Sequence, residues 1–244
     1  MAVTFGPGVT LGSGVSVNPS ISLVTDGLLL NFDAATYSGT GNWIDSAYGV
    51  NAVPSNSPVW SSDNGGTFVL SALSIQYFTV PWPTFQPEYT LDIWFNFTSS
   101  QTAESPCLIS DDFSGAFNFT INASGDKLLT GWYTTNWNGQ YADNNVGAPF
   151  THDGTTWYNI TMAVGASEYK DYINGAVSYA PGDFGPSGAA PNGSSDLQQF
   201  YIGKRWDLTD TVNAKMSVVN VYDRALTDAE VAQNFNYYRS RFGL

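Results

Sequence analysis

The acids, the histidine and the cysteine of this chain are the first residues to test for chemistry, because most catalytic sites are built from them. Glycoside hydrolysis needs two carboxyl groups about 5–9 Å apart, one of them with a raised pKa. Glu88 and Asp92 are the nearest approach to such a pair, and a strand edge with a solvated face explains both. No cluster of the form Glu-X-Asp-X-X-Glu occurs, so we predict no glycosidase site.

Nucleophilic catalysis has equally little support. The only histidine, His152, lies in a polar segment that is typical of a turn, and a Ser-His-Asp arrangement would depend on it. The only cysteine, Cys107, is expected to be a small buried residue and cannot form a disulfide within the chain. The sequence also lacks a phosphate-binding loop, a zinc-ligand spacing and the Gly-X-Gly-X-X-Gly pattern. We therefore predict that the protein is not an enzyme.

Two groups of oxygen-bearing side chains are candidates for calcium, which prefers several carboxylate and carbonyl ligands supplied by loops. The first group is Asp111 with Asp112, and the second is Asp143 with Asn144. Ordinary turn formation explains the same residues equally well. We predict no cofactor and keep calcium as the alternative.

Aromatic side chains are the other resource for binding. They cluster around the segment Asn136–Tyr141, where rings stand beside amides that could contact a sugar. The predicted carbohydrate-binding residues are Trp132, Tyr133, Trp137 and Tyr141. Packing of these rings in the core or at its rim is the alternative.

Composition and charge restrict the class of partner. Of the 244 residues 43% are hydrophobic and 15% aromatic, whereas only 12% are charged, and the formal net charge is -13. A chain this acidic is a poor partner for nucleic acid or an anionic membrane, because both bind through neutralisation of phosphates. No run of 18 apolar residues predicts a transmembrane helix.

The secondary-structure elements that would position the candidate binding residues are predicted most clearly near the end of the chain. Residues 200–206 and 214–222 predict two strands joined by a turn. The following Thr227-Asp228-Ala229-Glu230 fits a capping box, and Val231, Phe235 and Tyr238 fall on one helical face. The sequence therefore predicts a helix over about residues 227–239 that packs an apolar stripe onto a sheet.

Alternating apolar residues predict antiparallel strands through the middle of the chain. Residues 90–97 place their apolar side chains on one face and polar ones on the other, which indicates a half-buried strand. Residues 68–70 and 75–80 are predicted to form one hairpin, and 156–164 with 168–173 another. Asn174-Gly175 is the strongest turn signal.

Residues 1–24 differ from the rest of the chain. They carry no charge, they are interrupted by glycines, and they cannot bury enough apolar area to fold alone. We predict an extended arm for assembly or anchoring that pairs with another surface, with an unpaired leader as the alternative. Its apolar contact residues would be Phe5, Val9, Leu11, Val15 and Val17. The domain proper would then cover residues 25–244.

The order of these elements resembles the laminin G-like (concanavalin A-like) jelly roll. The segments that carry the resemblance are Trp157–Met162, Tyr169–Gly175, Tyr201–Gly203 and Val219–Glu230, with Gly27–Ala34 similar to the opening strand. It spans about residues 25–244 and is most specific in the last portion. It implies an all-β, two-sheet antiparallel sandwich with one C-terminal helix, often with calcium at the rim and often with glycan or protein binding.

The C-terminal portion is similar to the version of the domain found in bacteriophage and virus structural proteins. This resemblance implies a non-enzymatic virion structural protein, either a phage capsid decoration (cement) protein or a head or tail fibre subunit, on the outer surface of the capsid or tail. Its partners would be other virion proteins, such as the major capsid or tail proteins, and further copies of itself in a homo-oligomer. A free-standing lectin that binds a cell-surface glycan is the alternative.

Overall fold

The computed structural model describes residues 21–82, 88–99, 101, 106–111, 118–121, 128–132, 140–143, 150–166, 169–179, 199–205 and 211–244. For the strand residues from 121 to 143 the structure describes the backbone alone. The predicted contact residues of the arm, Phe5 to Val17, lie outside the described residues.

The strands of the described residues form two antiparallel sheets of eight strands each. The strands are numbered in chain order. The strands of the first sheet are β1 (Leu28–Asp33), β4 (Val59–Ser61), β5 (Thr67–Leu70), β7 (Tyr89–Phe97), β12 (Trp157–Val164), β13 (Tyr169–Ile173), β14 (Ala176–Tyr179) and β16 (Ala214–Tyr222). Their order is β14–β13–β12–β7–β16–β5–β4, and β1 pairs with the second half of β16.

The second sheet faces the first across the core. Its strands are β2 (Trp43–Ile44), β3 (Asn51–Ser55), β6 (Tyr77–Pro81), β8 (Cys107–Asp111), β9 (Asn118–Ile121), β10 (Leu128–Trp132), β11 (Gln140–Asp143) and β15 (Gln199–Ile202). Their order is β11–β10–β9–β8–β15–β6–β3–β2. This arrangement confirms the predicted two-sheet sandwich.

The core lies between the sheets and is built by alternate residues of each strand. On β7 the inward residues are Leu91, Ile93, Phe95 and Phe97, all fully buried. The second sheet contributes Phe78, Val80, Phe119, Phe200 and Ile202 to the same cluster. Period-2 alternation therefore predicted the inner face of β7 correctly.

The outer face of β7 differs from the prediction. All nine residues of this strand are buried, including Asp92, Trp94 and Asn96 on the predicted polar face. The strand is not half-buried, because the C-terminal helix covers its second side. Alternation shows which residues share a face, but it does not show what lies over that face.

The predicted hairpin of residues 68–70 and 75–80 is wrong. Phe68 of β5 pairs with Met216 in the first sheet, whereas Phe78 of β6 pairs with Ile202 in the second. The intervening turn carries the chain from one sheet to the other. Both strands send apolar residues into the same core, so their sequence pattern does not distinguish a pair within one sheet from a pair across the sandwich.

The other local predictions hold. β12 pairs with β13, as predicted for the second hairpin. Asn174 and Gly175, with φ of 52° and 74°, form the turn to β14 and adopt the left-handed conformation that a tight hairpin turn requires. Helix α1 covers Asp228–Tyr238 and continues into a 3₁₀ turn at Arg239–Phe242; shorter 3₁₀ turns lie at Ala34–Thr36 and Asp63–Gly65. Among the described residues no helix is both long and apolar enough to cross a bilayer.

The last residues of the predicted arm contact the domain. The backbone N–H of Val24 donates to Asn234 Oδ1 at 3.0 Å, and its carbonyl accepts from the Tyr222 hydroxyl at 3.0 Å. The Ser22 carbonyl accepts from Gln233 Nε2 at 2.8 Å. The chain is therefore attached to helix α1 just after residue 20, while the division between arm and domain at residue 24 stays a prediction.

Candidate functional site

Asp92 lies at the centre of the outer face of the first sheet. Its Oδ1 accepts from Asn159 Nδ2 at 2.6 Å and from Thr161 Oγ1 at 2.9 Å, and its Oδ2 accepts from Asn220 Nδ2 at 2.9 Å. The side chain is 1% exposed, so the predicted solvated face is wrong. Burial raises the pKa of this carboxyl, and the three donors partly oppose that shift.

Stacked aromatic rings close this face over Asp92. Trp94 lies between Phe235, at a centroid distance of 5.6 Å, and Phe242, at 4.4 Å, with the rings nearly parallel. Tyr238 lies beside them and accepts from Asn31 Nδ2 at 3.1 Å. Helix α1 and its 3₁₀ extension thus form a second small core on this face, where Asp92 is also buried.

Charged contacts hold the helix on the sheet. Glu230 completes the predicted capping box with Thr227, and Arg224 donates two hydrogen bonds to it, at 2.9 and 2.6 Å. The Arg224 hydrogen bonds and the Thr227 contacts lower the pKa of Glu230 to about 2. At the other end, Arg241 pairs with Asp33 at 2.6 Å. These contacts make the cover over the first sheet a fixed part of the fold.

The outer face of the second sheet carries a different cluster, made by Tyr77, Tyr201 and Lys204. The two rings meet edge to face with centroids 5.9 Å apart. Lys204 Nζ lies 3.6 Å from the Tyr201 ring centroid and 4.5 Å from that of Tyr77. Lys204 is 2% exposed whereas both tyrosines are partly exposed, so the ammonium is buried against the rings, and cation–π attraction stabilises their position.

An amide completes this cluster, since Gln199 Nε2 donates to the Tyr201 hydroxyl at 2.9 Å. Tyr201, Tyr77 and Lys204 are not among the residues predicted from the sequence to bind a sugar. The alternation in Gln199–Ile202 could have found Tyr201, because Phe200 and Ile202 are buried and their neighbours must face outward. The position of Lys204 follows from the bend at Gly203, whose φ is 96°.

The backbone register connects this cluster to one of the predicted aromatics. Tyr201 pairs with Thr79 on one side and Ser110 on the other. From Ser110 the same row continues through Asn118 and Gly131 to Tyr141. Four strand spacings separate Tyr201 from Tyr141, about 19 Å. Tyr141 therefore occupies a position in the row that crosses the sheet through Tyr201.

Of the other three predicted sugar-binding residues, one lies within the described residues. Trp132 lies in β10 across from Gln140. Tyr133 and Trp137 are outside the described residues. The structure thus gives strand positions for Trp132 and Tyr141, and the four-residue aromatic site stays a prediction.

The two predicted calcium groups lie on different strands. Asp111 is fully buried in β8 across from Phe200, and Asp143 lies in β11 across from Leu129. Three strand spacings, about 14 Å, separate these strands, whereas two ligands of one ion lie within about 5 Å of each other. The two groups therefore cannot share an ion. Asp112 and Asn144 lie outside the described residues, which contain no cluster of three potential metal ligands.

The residues that were tested for nucleophilic or acid chemistry and rejected, Cys107, His152 and Glu88, are each placed by the structure. Cys107 is buried, as expected. The His152 ring stacks on Phe97 at a centroid distance of 4.7 Å. Glu88 is partly exposed directly before β7, apart from the sealed carboxyl of Asp92.

Comparison with known proteins agrees with this geometry. The family model described as the concanavalin A-like lectin/glucanases superfamily, of laminin G type, matches residues 74–232, more than half of the chain. A search of curated protein sequences gave no significant match.

Solved structures share the fold at low sequence identity. The receptor-binding domain of botulinum neurotoxin type G has a TM-score of 0.62 and 13% identity, covering 86% of this chain and 51% of that one. The ligand-binding domain of botulinum neurotoxin serotype D, solved with N-acetylneuraminic acid, has a TM-score of 0.66 and 12% identity, with coverage of 86% and 51%. The chain thus spans about half the length of these toxin domains.

A third structure matches over nearly its whole length. Domain 4 of AbnA, an extracellular arabinanase of Geobacillus stearothermophilus solved with arabinotriose, has a TM-score of 0.64 and 14% identity, covering 85% of this chain and 97% of that one. Together with the family match, the fold identifies the chain as a member of the concanavalin A-like lectin/glucanases superfamily, of laminin G type.

Proposed function

We propose that this protein is a non-catalytic carbohydrate-binding module that binds its ligand on the outer face of the second sheet. The observation that carries the proposal is the cluster of Tyr77, Tyr201 and Lys204 on the sheet that lies opposite helix α1. The rings are in contact with the buried Lys204 ammonium and are partly exposed. They offer a rigid apolar surface of the kind that packs against the C–H face of a sugar ring.

Polar groups around the rings suit the same ligand. The Gln199 amide contacts the edge of Tyr201, and Thr79 lies next to Tyr201 in the adjacent strand and is partly exposed. Sugars present many hydroxyl groups, and a binding surface that combines aromatic rings with neutral donors and acceptors can satisfy them. Because the Tyr201 ring is already fixed, ordering it on binding costs little entropy.

Structural neighbours support the same class of function. Domain 4 of AbnA was solved with arabinotriose, and the serotype D toxin domain with N-acetylneuraminic acid. These ligands were bound by those proteins and not by this chain, and at 14% and 12% sequence identity the likeness supports a shared fold only. They make a glycan the first class of ligand to test.

The carboxylates also favour binding over hydrolysis. Asp92 is 1% exposed on the face of the first sheet that helix α1 covers, and Asp111 is fully buried. Hydrolysis needs two carboxyl groups that face one sugar from opposite sides. Within the described residues Asp92 and Asp111 belong to different sheets.

A glycan array followed by titration calorimetry tests the proposal. The wild-type chain should bind a defined oligosaccharide, and Tyr201→Ala should weaken that binding about tenfold or more, since aromatic anchors typically contribute more than about 1.4 kcal/mol. Tyr237→Ala is the matched control, because Tyr237 is an exposed tyrosine on the helix side. Equal loss in both variants, or no bound glycan on a broad array, would contradict the proposal.

A role in a virion is a second proposal, compatible with the first. The observation in its favour is the attachment of Ser22–Val24 to helix α1, which gives an anchoring arm a fixed starting point on the domain. In this role the protein would decorate a phage capsid or form a fibre subunit, on the outer surface of the particle. Its partners would be capsid or tail proteins and further copies of itself.

Particle occupancy tests this second proposal. Particles grown with the full-length chain should carry it at a fixed copy number, and replacing Phe5, Val9 and Leu11 by Ser should reduce that occupancy at least tenfold. Retention of the substituted protein at the wild-type copy number would show that the arm is not the anchor.

A further inference from the structure

A pocket of about 370 Å³ opens at the edge of the sandwich where β3 and β4 lie near the ends of the two sheets. Its lining combines the apolar or aromatic side chains of Tyr37, Val53, Pro54, Pro58, Phe68 and Phe78 with Gly41, Asn42 and Ser57. Phe68 belongs to the first sheet and Phe78 to the second, and both are almost fully buried, so they form its bottom. The volume lies within the range of small-ligand pockets, about 300–1,000 Å³.

The pocket is uncharged and adjoins a strand edge. None of its lining residues carries a charge, in a chain whose net charge is -13. Val53 at the rim is 48% exposed. Among the described residues, β4 pairs only with β5, so its other edge can accept a further strand.

One wall of the pocket is held in an unusual backbone conformation. Asn56 and Ser57, directly before Pro58, both have φ of 55°, in the left-handed region that costs energy for residues other than glycine. Gln76 Nε2 holds them by donating to the carbonyl of Asn56 at 3.0 Å and to that of Ser57 at 2.9 Å. Such strain persists where surrounding contacts enforce it, and it is frequent at binding sites.

The chain itself contains a segment that suits this pocket. Residues 1–20 have no charged side chain and carry apolar residues at near-alternate positions. An uncharged segment meets an uncharged pocket without the repulsion that two acidic surfaces would suffer. Alternate apolar residues are also what a strand needs to pair at an edge and insert side chains on one side.

The pocket could bind the arm of its own chain or the arm of a second copy, and the attachment of the chain at Val24 favours its own arm. A flexible coil of 20 residues has a root-mean-square span of about 25 Å, which is comparable with the size of one domain. Its effective concentration at a site on its own domain is then in the millimolar range. A second copy at micromolar concentration is disfavoured by roughly a thousandfold.

We infer that residues 1–20 bind to their own domain, pairing along β4 and placing an apolar side chain in the pocket between Phe68 and Phe78. This inference goes beyond the proposed sugar binding and does not depend on it. The full-length chain in dilute solution then carries its arm folded back on the sandwich edge.

Limited proteolysis of the full-length chain tests the inference. Chymotrypsin cleaves after Phe5 and Leu11, and mass spectrometry of the released N-terminal peptides measures that cleavage separately from cuts elsewhere. In the wild-type chain these cuts should be at least tenfold slower than in a free peptide of residues 1–20. Val53→Asp, which places a charge at the rim, should restore most of the free-peptide rate.

Val177→Asp provides the matched control, because Val177 is equally exposed at 48% but lies in β14 at the far edge of the first sheet. It should leave the protection unchanged, and the protection should not vary between 1 and 100 μM protein, roughly the range in which a tethered site outcompetes a second copy. Cleavage of the wild type at the free-peptide rate would overturn the inference, as would equal rates in the two variants. Protection that rises with protein concentration would assign the pocket to a second copy and would also overturn it.

Discussion

The outer faces of the two sheets differ in whether another element covers them. On the first sheet a helix and a 3₁₀ turn cover a carboxylate with three hydrogen-bond donors and a stack of three aromatic rings. On the second sheet two partly exposed tyrosines contact a buried lysine. Aromatic residues therefore stabilise the fold on the covered face, and they offer a contact surface on the face that no helix covers within the described residues.

The largest effect expected from this comparison is on stability. Trp94→Ala removes the ring that lies between Phe235 and Phe242 and should lower the free energy of unfolding by about 3–5 kcal/mol, the usual cost of a large buried aromatic. Urea denaturation measures it. Tyr237→Ala, on the exposed side of the same helix, should change stability by less than about 1 kcal/mol.

The Trp94 variant also separates the two faces functionally. The folded fraction of Trp94→Ala should bind glycan with the wild-type affinity, because the stacked rings lie on the opposite side of the sandwich. A change of more than about threefold in that affinity, with the chain still folded, would mean that the faces are coupled and that the comparison fails.

A smaller effect is expected from the contact that holds the helix in place. Glu230 has its pKa lowered from 4.5 to about 2, first by the Arg224 hydrogen bonds, so it contributes stability above pH 4.5 that is lost as the pH falls towards 2. Glu230→Gln should lower stability at pH 7 by about 1 kcal/mol.

The difference between wild type and Glu230→Gln should shrink as the pH falls from 4.5 towards 2, because the wild-type carboxylate is then neutralised as well. Urea midpoints of both proteins at several pH values measure it. A difference that stays constant across this window would mean that the charge of Glu230 does not hold the helix on the sheet.

Local features of the molecule could be predicted from the sequence. The capping box fixed the start of helix α1, and Asn174-Gly175 fixed a tight turn, because each is determined by neighbouring residues. Alternation along β7 identified the inner face. These predictions depend on backbone geometry over a few residues, which a sequence expresses directly.

The errors concern contacts between distant parts of the chain. The expectation of a solvated face for Asp92 is wrong because nothing near it in sequence indicates that residues 235–242 pack on Trp94, which shares that face of β7. Strands β5 and β6 were paired because the pattern of each suits the same core. Nothing local distinguishes Tyr201, because its importance depends on Lys204 and Tyr77, which approach it through the bend at Gly203 and the pairing of β15 with β6.

Hydroxyl-radical footprinting of the tyrosines tests the central claim most directly, since it reports the exposure of each ring with and without ligand. A saturating oligosaccharide identified on the array should reduce the oxidation of Tyr77 and Tyr201 and leave that of Tyr237 on the helix unchanged. Protection of Tyr237 with no change at Tyr77 and Tyr201 would show that the binding face has been assigned to the wrong sheet.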